Sequence, residues 1–262
     1  MDRIKQLLQN KEKNILSIYF TAGYPTLNST IDIIKALSIA GADMIEIGIS
    51  FSDPVADGIT IQESSQIALK NGISLSVLFN QLQNIRQYTQ TPLILMGYLN
   101  PILQFGINNF CKKAKECGVD GLLIPDLPIS VFEDQYHHIF KEYGLKSIFM
   151  ITQQTSEDRI RAIDNLSDGF IYMVTSTITT GNQISFTEKH LQYLDFIKKL
   201  SLQNKVLAGF GINGKSEFDI VNKYVNGAIV GSSFIRHLTN SNKDLPSSIH
   251  DFIKSFKHDS TN

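Results

Sequence analysis

The feature that most narrows what this chain can fold into is a recurrence. Eight short apolar runs, rich in β-branched residues, punctuate it: Ile15 to Thr21, Met44 to Gly48, Pro92 to Gly97, Gly121 to Pro125, Ser147 to Thr152, Phe170 to Thr175, Val206 to Gly209 and Ala228 to Gly231. Strands this short and this apolar are buried on both faces, as in parallel sheets. Parallel neighbours need crossovers, and the intervening segments have helical periods. Ile31, Ile34, Leu37 and Ala40 share one face, between N-cap candidates at Asn28 to Thr30 and a stop at Gly41. Leu75, Leu78, Phe79, Leu82 and Ile85 form a second stripe, and Leu191, Leu194, Ile197 and Leu200 another. Ile160, Ala162 and Ile163 follow Ser156, with Glu157 and Asp158 in the first turn, and Phe252, Ile253 and Phe256 mark a terminal helix. A weak repeat (Gly41-Ala42-Asp43, Gly118-Val119-Asp120-Gly121, Ser167-Asp168-Gly169, Asn226-Gly227) stands before alternate strands and has the chemistry of αβ loops. Eight βα units in 262 residues predict an α/β fold, a single (β/α)8 barrel domain over residues 1–262 with an extra N-terminal helix. An open doubly wound sheet, usually with fewer strands and a switch point, is the alternative.

Composition excludes several functions. With 24 Lys+Arg against 25 Asp+Glu there is no cationic excess to neutralise a nucleic-acid backbone. No run of 18 uncharged apolar residues occurs, and the first residues show no apolar signal segment. Two cysteines, Cys111 and Cys117, cannot build a disulfide framework or a zinc site and are expected to be half-buried on a helix; the cytoplasm is the expected compartment.

In a (β/α)8 barrel the chemistry sits where strands end. The second unit, Met44 to Gln62, is the most unusual. Glu46 lies between Ile45 and Ile47, so if the isoleucines meet the helices Glu46 enters the barrel. Desolvation there would raise its pKa and suit it to proton transfer; a strand-end Glu paired with a cation is the plain alternative. Asp53 and Asp57 follow in a loop with Pro54 and Gly58. They can be solvated turn formers, or Asp57 can arch over the mouth and form with Glu46 a carboxylate pair in unlike environments.

The last units carry glycines. Gly209-Phe210-Gly211 and Gly231-Ser232-Ser233 follow strands seven and eight, and Thr179-Thr180-Gly181 follows strand six. Backbone amides freed by glycine, and a helix N-terminus, suit a phosphate. Gly209, Gly211 and Gly214 spell GxGxxG, but no acid lies between Asp219 and Asp244 to hold a ribose, and the motif is in the seventh unit, which argues against a dinucleotide. All six histidines fall in expected helices, away from strand ends. Strand ends lack lysine, leaving no obvious Schiff-base nucleophile. Tyr172 is the aromatic side chain expected to point inward, with Tyr19 and Tyr98 as second choices.

Together these residues resemble the tryptophan synthase alpha chain family. The resemblance rests on Glu46-Ile47-Gly48, Phe51 to Gly58 and Ile61-Gln62, then on Thr21-Ala22-Gly23, Tyr98 with Asn100-Pro101, Pro125 to Pro128, Gly209 to Ile212 and Gly231-Ser232. It implies a lyase that splits indole-3-glycerol phosphate into indole and glyceraldehyde 3-phosphate in tryptophan biosynthesis. Glu46 and Asp57 would be catalytic. Tyr172 would border the indole pocket, and Gly181, Gly211, Gly231 and Ser232 would hold phosphate. Thr180 would reach Asp57 when the loops close. It also implies no metal or organic cofactor in this chain, and a pyridoxal-phosphate beta chain as partner. The two would form a heterotetramer of two alpha and two beta chains, with Asp53 and Pro54 facing the beta chain. The chain departs from the family pattern at Tyr24, Ser50, Ile59, Ile178 and Thr152-Gln153-Gln154; the two missing prolines loosen the second loop and predict lower intrinsic activity. A free-standing indole-releasing lyase, a subunit that only activates the beta chain, and another phosphate-sugar barrel enzyme are the rival readings.

Overall fold

The computed structural model describes residues 2–175, 187–209 and 211–257. Its parallel strands close into a barrel in chain order: β1 Ile15–Thr21, β2 Met44–Gly48, β3 Leu93–Met96, β4 Gly121–Leu123, β5 Lys146–Ile151, β6 Ile171–Val174, β7 Val206–Gly209 and β8 Gly227–Val230. β8 pairs with β1 from Ile15↔Gly227 to Ile18↔Val230, which rules out the open sheet. Each expected strand is present, with ends shifted by at most two residues where the shifts occur.

Helices wrap the barrel. α1 is Arg3–Asn10 and α2 Ser29–Ala40. α3 Ile59–Lys70 and α4 Leu75–Leu82 both follow β2, and α5 Leu99–Phe105 and α6 Ile107–Glu116 follow β3. α7 Ile129–Val131 runs through a π-helical turn, Phe132–Tyr136, into α8 His137–Tyr143. α9 Glu157–Leu166, α10 Glu188–Lys199, α11 Lys215–Val221, α12 Ser232–Asn240 and α13 Leu245–Lys257 complete the set. Gly41 ends α2 in the left-handed region at φ 90°, and its amide caps the Leu37 carbonyl. Cys111 and Cys117, expected to be half-buried, are buried; both join the core between barrel and helices, and Cys117 Sγ donates to the Phe79 carbonyl. Among the described residues no helix is long and apolar enough to cross a membrane.

Strand alternation sorts the side chains into two cores. Leu16, Ile18 and Phe20 of β1 and Ile45 and Ile47 of β2 pack against the helices. Ile15, Met44, Ile94, Ile148, Phe170 and Tyr172 fill the barrel itself. Ile4 of α1 is fully buried in that inner core beside Ile15 and Met44, the first residues of their strands, so α1 stoppers the N-terminal end.

The same end is tied by a device repeated in every second unit. A side chain one to three residues before each even strand accepts a backbone N–H at or next to the start of the preceding odd strand. Asp43 accepts from Leu16 at 2.8 Å, Asp120 from Leu93 at 2.8 Å, Asp168 from Ser147 at 2.6 Å and Asn226 from Val206 at 2.9 Å. These donors are part of a strand edge that would otherwise be buried unpaired. Asp120, almost fully buried, also pairs with Arg3 at 3.0 Å and with Arg86, joining α1 to the barrel floor.

Removing Asp120 strands two partly buried guanidinium groups and one backbone donor. Asp120→Ala is expected to cost on the order of 3 kcal/mol in urea unfolding. Activity per folded molecule should be unchanged, because the catalytic mouth is at the other end of the strands. A loss below about 0.5 kcal/mol would remove this network from the account of stability.

Candidate active site

Glu46 sits where the strand alternation sends it. Ile45 and Ile47 meet the helices, and Glu46 shares the inner face of β2 with Met44. It is fully buried. Its Oε1 accepts from the Ser17 hydroxyl of β1 at 2.8 Å, and its Oε2 has no hydrogen-bond partner among the described residues. Among the described residues no lysine or arginine pairs with it, which sets aside the plain strand-end ion pair. Burial pushes its carboxyl up to about 7, and the Ser17 hydrogen bond opposes the rise.

Asp57 reaches the same space from the β2–α3 loop. That loop is held by its own bonds. The Asp57 amide donates to the Pro54 carbonyl at 3.0 Å, and Gln62 Nε2 donates to the Asp57 carbonyl at 2.8 Å. The Tyr98 hydroxyl accepts from the Ala56 amide at 3.1 Å and hydrogen-bonds the Asp57 carboxylate. Burial raises the Asp57 carboxyl to about 6 and the Tyr98 bond lowers it. The two acids sit in unlike environments, Glu46 fully buried with one bond from Ser17 and Asp57 on the loop with the Tyr98 hydroxyl beside it.

Tyr19 of β1 and Tyr172 of β6 line the mouth between them. Burial, then the negative charges of Glu46 and Asp57, push both phenols up, so both are neutral donors near pH 7. Each lies over a glycine. A Cβ on Gly48 would strike the Tyr19 hydroxyl, and one on Gly209 the Tyr172 hydroxyl. These two glycines thus make room for aromatic side chains, a role the sequence pattern did not reveal.

Across the mouth stand the glycine loops. Gly211 has φ 76°, where other residues are strained. Gly231 precedes α12, and Ser232 is its first residue; the first turn of that helix carries no acid and no side-chain cap. Nearby, Arg236 of α12 donates to Asn213 Oδ1 at 2.8 Å and reaches Thr60 Oγ1 of α3 at 3.5 Å. Thr180 and Gly181 lie outside the described residues.

The structure thus brings Glu46, Asp57 and Tyr172 to one place, and puts Gly211, Gly231 and Ser232 on the strand-end loops. Asp53 and Pro54 part company: Asp53 is exposed, whereas Pro54 is buried with its carbonyl turned to the loop's own donors. Sequence reasoning missed Ser17 and ranked Tyr19 and Tyr98 second. The signal for Ser17 was present, since the period of two places it on the face of β1 that carries Tyr19. Among the described residues no group of three or more His, Cys, Asp or Glu side chains is placed to hold a metal ion.

Comparison with known proteins agrees along the whole chain. The family model described as tryptophan synthase alpha chain matches residues 4–260. The tryptophan synthase alpha chain of Flavobacterium johnsoniae is 55% identical over 241 residues, covering 92% of this chain and 95% of the relative. That of Christiangramia forsetii is 50% identical over 257 residues, covering 98% and 99%. Among solved structures, tryptophan synthase subunit alpha from Legionella pneumophila superposes with TM-score 0.87 at 31% identity, covering 98% of this chain and 97% of that one. The tryptophan synthase complex from Pyrococcus furiosus gives 0.84 at 34% identity, covering 94% and 98%.

The raised pKa of Glu46 has a cost for folding. Its carboxyl titrates near 4.5 when unfolded and about 7 when folded, so the folded state holds the extra proton between those values and stability falls as pH rises through them. Glu46→Gln removes the penalty. At pH 8 the variant should be more stable than the parent by on the order of 1–3 kcal/mol, the gap closing toward pH 4. Urea titrations at the two pH values decide it; a gap independent of pH would mean that Glu46 ionises no differently in the folded chain.

Proposed function

The chain belongs to the tryptophan synthase alpha chain family, and from that premise we infer that it catalyses the alpha reaction of tryptophan biosynthesis, cleaving indole-3-glycerol phosphate to indole and glyceraldehyde 3-phosphate. The observation that carries the residue assignment is one buried carboxyl group in the barrel mouth with one oxygen committed and the other free.

The bond to break joins indole C3 to the carbinol carbon of the glycerol phosphate. Glu46 protonates C3, which leaves positive charge on the indole nitrogen. The carbon–carbon bond then cleaves as the carbinol hydroxyl loses its proton, the bonding pair returning to the ring and the carbinol becoming the aldehyde. Glu46 recovers a proton from that hydroxyl, so atoms and charge balance without water or redox partner. A carboxyl near pKa 7 can both give and take at neutral pH. Asp57, with the lower value of about 6, stays ionised, accepts the indole N–H and stabilises the cation as it forms. Tyr172 borders the ring. Amides at Gly181, Gly211 and Gly231 with the Ser232 hydroxyl bind the phosphate, and that remote grip orients the scissile bond. Thr180 meets Asp57 when the loops close over substrate.

A beta-chain partner follows from the family. We assign the contact to the β2–α3 loop and the start of α3, where Val55 is 88% and Ile59 65% exposed beside Asp53. Large apolar side chains this bare on a loop next to a catalytic mouth suit a protein surface that covers them. The assembly is two alpha with two beta chains, the pyridoxal phosphate belonging to the beta chain and no cofactor to this one. The compartment is the cytoplasm.

Two measurements test this reading. Indole release from indole-3-glycerol phosphate should fall about 10³-fold in kcat for Glu46→Gln and about 10²-fold for Asp57→Asn, with KM within a few-fold. Parental rates in both variants would remove the mechanism. Addition of beta chain should accelerate indole release, and Val55→Asp should weaken the association about tenfold by titration calorimetry. Unchanged affinity would move the contact elsewhere.

A further inference from the structure

Ser17 is an anomaly of the barrel interior. On the inner face of β1 it stands between Ile15 and Tyr19, and its register partners are Met44 of β2 and Ile229 of β8. It is fully buried. A hydroxyl placed among apolar side chains costs stability unless it is paired, and an alanine would fill the position more cheaply. Its side chain makes one hydrogen bond among the described residues, to Glu46 Oε1 at 2.8 Å.

That bond makes the two oxygens of Glu46 unequal. Oε1 is anchored to a strand; Oε2 is equally buried and has no partner among the described residues. A carboxyl held by one oxygen cannot turn about its last torsion without breaking the bond. We propose that Ser17 is a positioning residue for the lyase reaction: it holds Glu46 Oε1 so that Oε2 is the atom that delivers the proton to the indole ring and recovers it from the carbinol. The inference rests on the assignment of Glu46 as proton carrier and deepens it.

The surroundings give Ser17 a second effect. The groups around Glu46 are Ser17 and Tyr19 on β1 and Tyr172 on β6, and the same two tyrosines also neighbour Asp57 of the β2–α3 loop. Neither tyrosine is charged near pH 7 and Asp57 is an anion, so Ser17 is the group among the described residues that favours the ionised carboxyl. Its loss leaves burial unopposed, and the proton is held to higher pH.

The test uses the full chain with Ser17→Ala, Ser17→Thr and Glu46→Gln. In Ser17→Ala the alkaline limb of the kcat profile for indole release, set by loss of the Glu46 proton, should move up by about one pH unit. At the parental optimum kcat should fall about tenfold while KM changes less than twofold. Ser17→Thr keeps the hydroxyl and should restore the limb. Independently of activity, the carbon-13 resonance of the Glu46 side-chain carboxyl, assigned by its absence in Glu46→Gln, should titrate about one unit higher in Ser17→Ala. A parental profile and titration in Ser17→Ala, with Glu46→Gln inactive, overturns the role of Ser17 and leaves Glu46 intact. An active Glu46→Gln overturns both. Should Ser17→Ala fail to fold, Ser17→Cys, close in volume and a weaker donor, reports the same two shifts; their absence there overturns the proposal.

Discussion

Everything chemical in this molecule depends on one side chain facing the wrong way for stability. Closure of the barrel leaves no edge, and packed side chains fill its interior, so each inward position must be filled by something that tolerates desolvation. Most are filled by Ile, Leu, Met and Phe. At Glu46 the same geometry buries a carboxyl group, and the barrel answers with a single hydroxyl. The expense in folding free energy and the raised proton affinity are one fact seen from two sides. A fully satisfied carboxylate, with bonds to both oxygens and a cation beside it, would be stable, acidic and useless as a proton carrier at neutral pH.

That expense is offset at the opposite end. The N-terminal rim carries the side-chain bonds that open surfaces rarely show in such order: Asp43, Asp120, Asp168 and Asn226 each receive a backbone amide from the neighbouring strand. α1 seals the floor with Ile4 and locks to it through Arg3 and Asp120. None of these groups lies near the carboxylate pair. The barrel separates its labours along the strand axis, with the bonds that fix the register at one end and the unpaired groups that do chemistry at the other.

The fold was legible because both of its periods were. Runs such as Val206 to Gly209 could only be buried strands, and the glycines after α2 and α6 marked where helices stop. Strand ends were less so; β4 is three residues long because its ladder partners, not its apolar run, decide where pairing stops. In the site, Glu46 and Asp57 stood out since acids in or after an apolar strand are conspicuous. Ser17 did not, because serine is unremarkable in any window and its meaning comes from a partner 29 residues away. Gly48 and Gly209 were hidden for the same reason: what they accommodate, a tyrosine from the adjacent strand, is set by register. That Pro54 is buried while its neighbour Asp53 is exposed was not legible, because sequence shows a loop residue but not which side of the loop is covered.

The departures from the family pattern bear on how Asp57 is held. Against the pattern the resemblance implies, Ser50 and Ile59 stand where prolines are expected, and without proline the unfolded ensemble around the β2–α3 loop is larger, which by itself would loosen it. In the folded chain the loop is restrained by other means. Gln62 ties the Asp57 and Pro54 carbonyls, Tyr98 holds the Ala56 amide, and the Phe51 and Tyr98 rings pack 5.3 Å apart. At the neighbouring loop, Tyr24 hydrogen-bonds Thr239 of α12 at 2.5 Å, and Asn71 binds the Gly23 and Pro25 carbonyls at 2.9 Å each. Proline restrains a loop by limiting the unfolded chain, whereas these bonds restrain it only while the fold exists. The substitution therefore trades stability for adjustability and leaves the position of Asp57 defined. A loop fastened by side-chain hydrogen bonds can also release them singly, which suits a segment that must admit substrate on one side and meet a partner on the other.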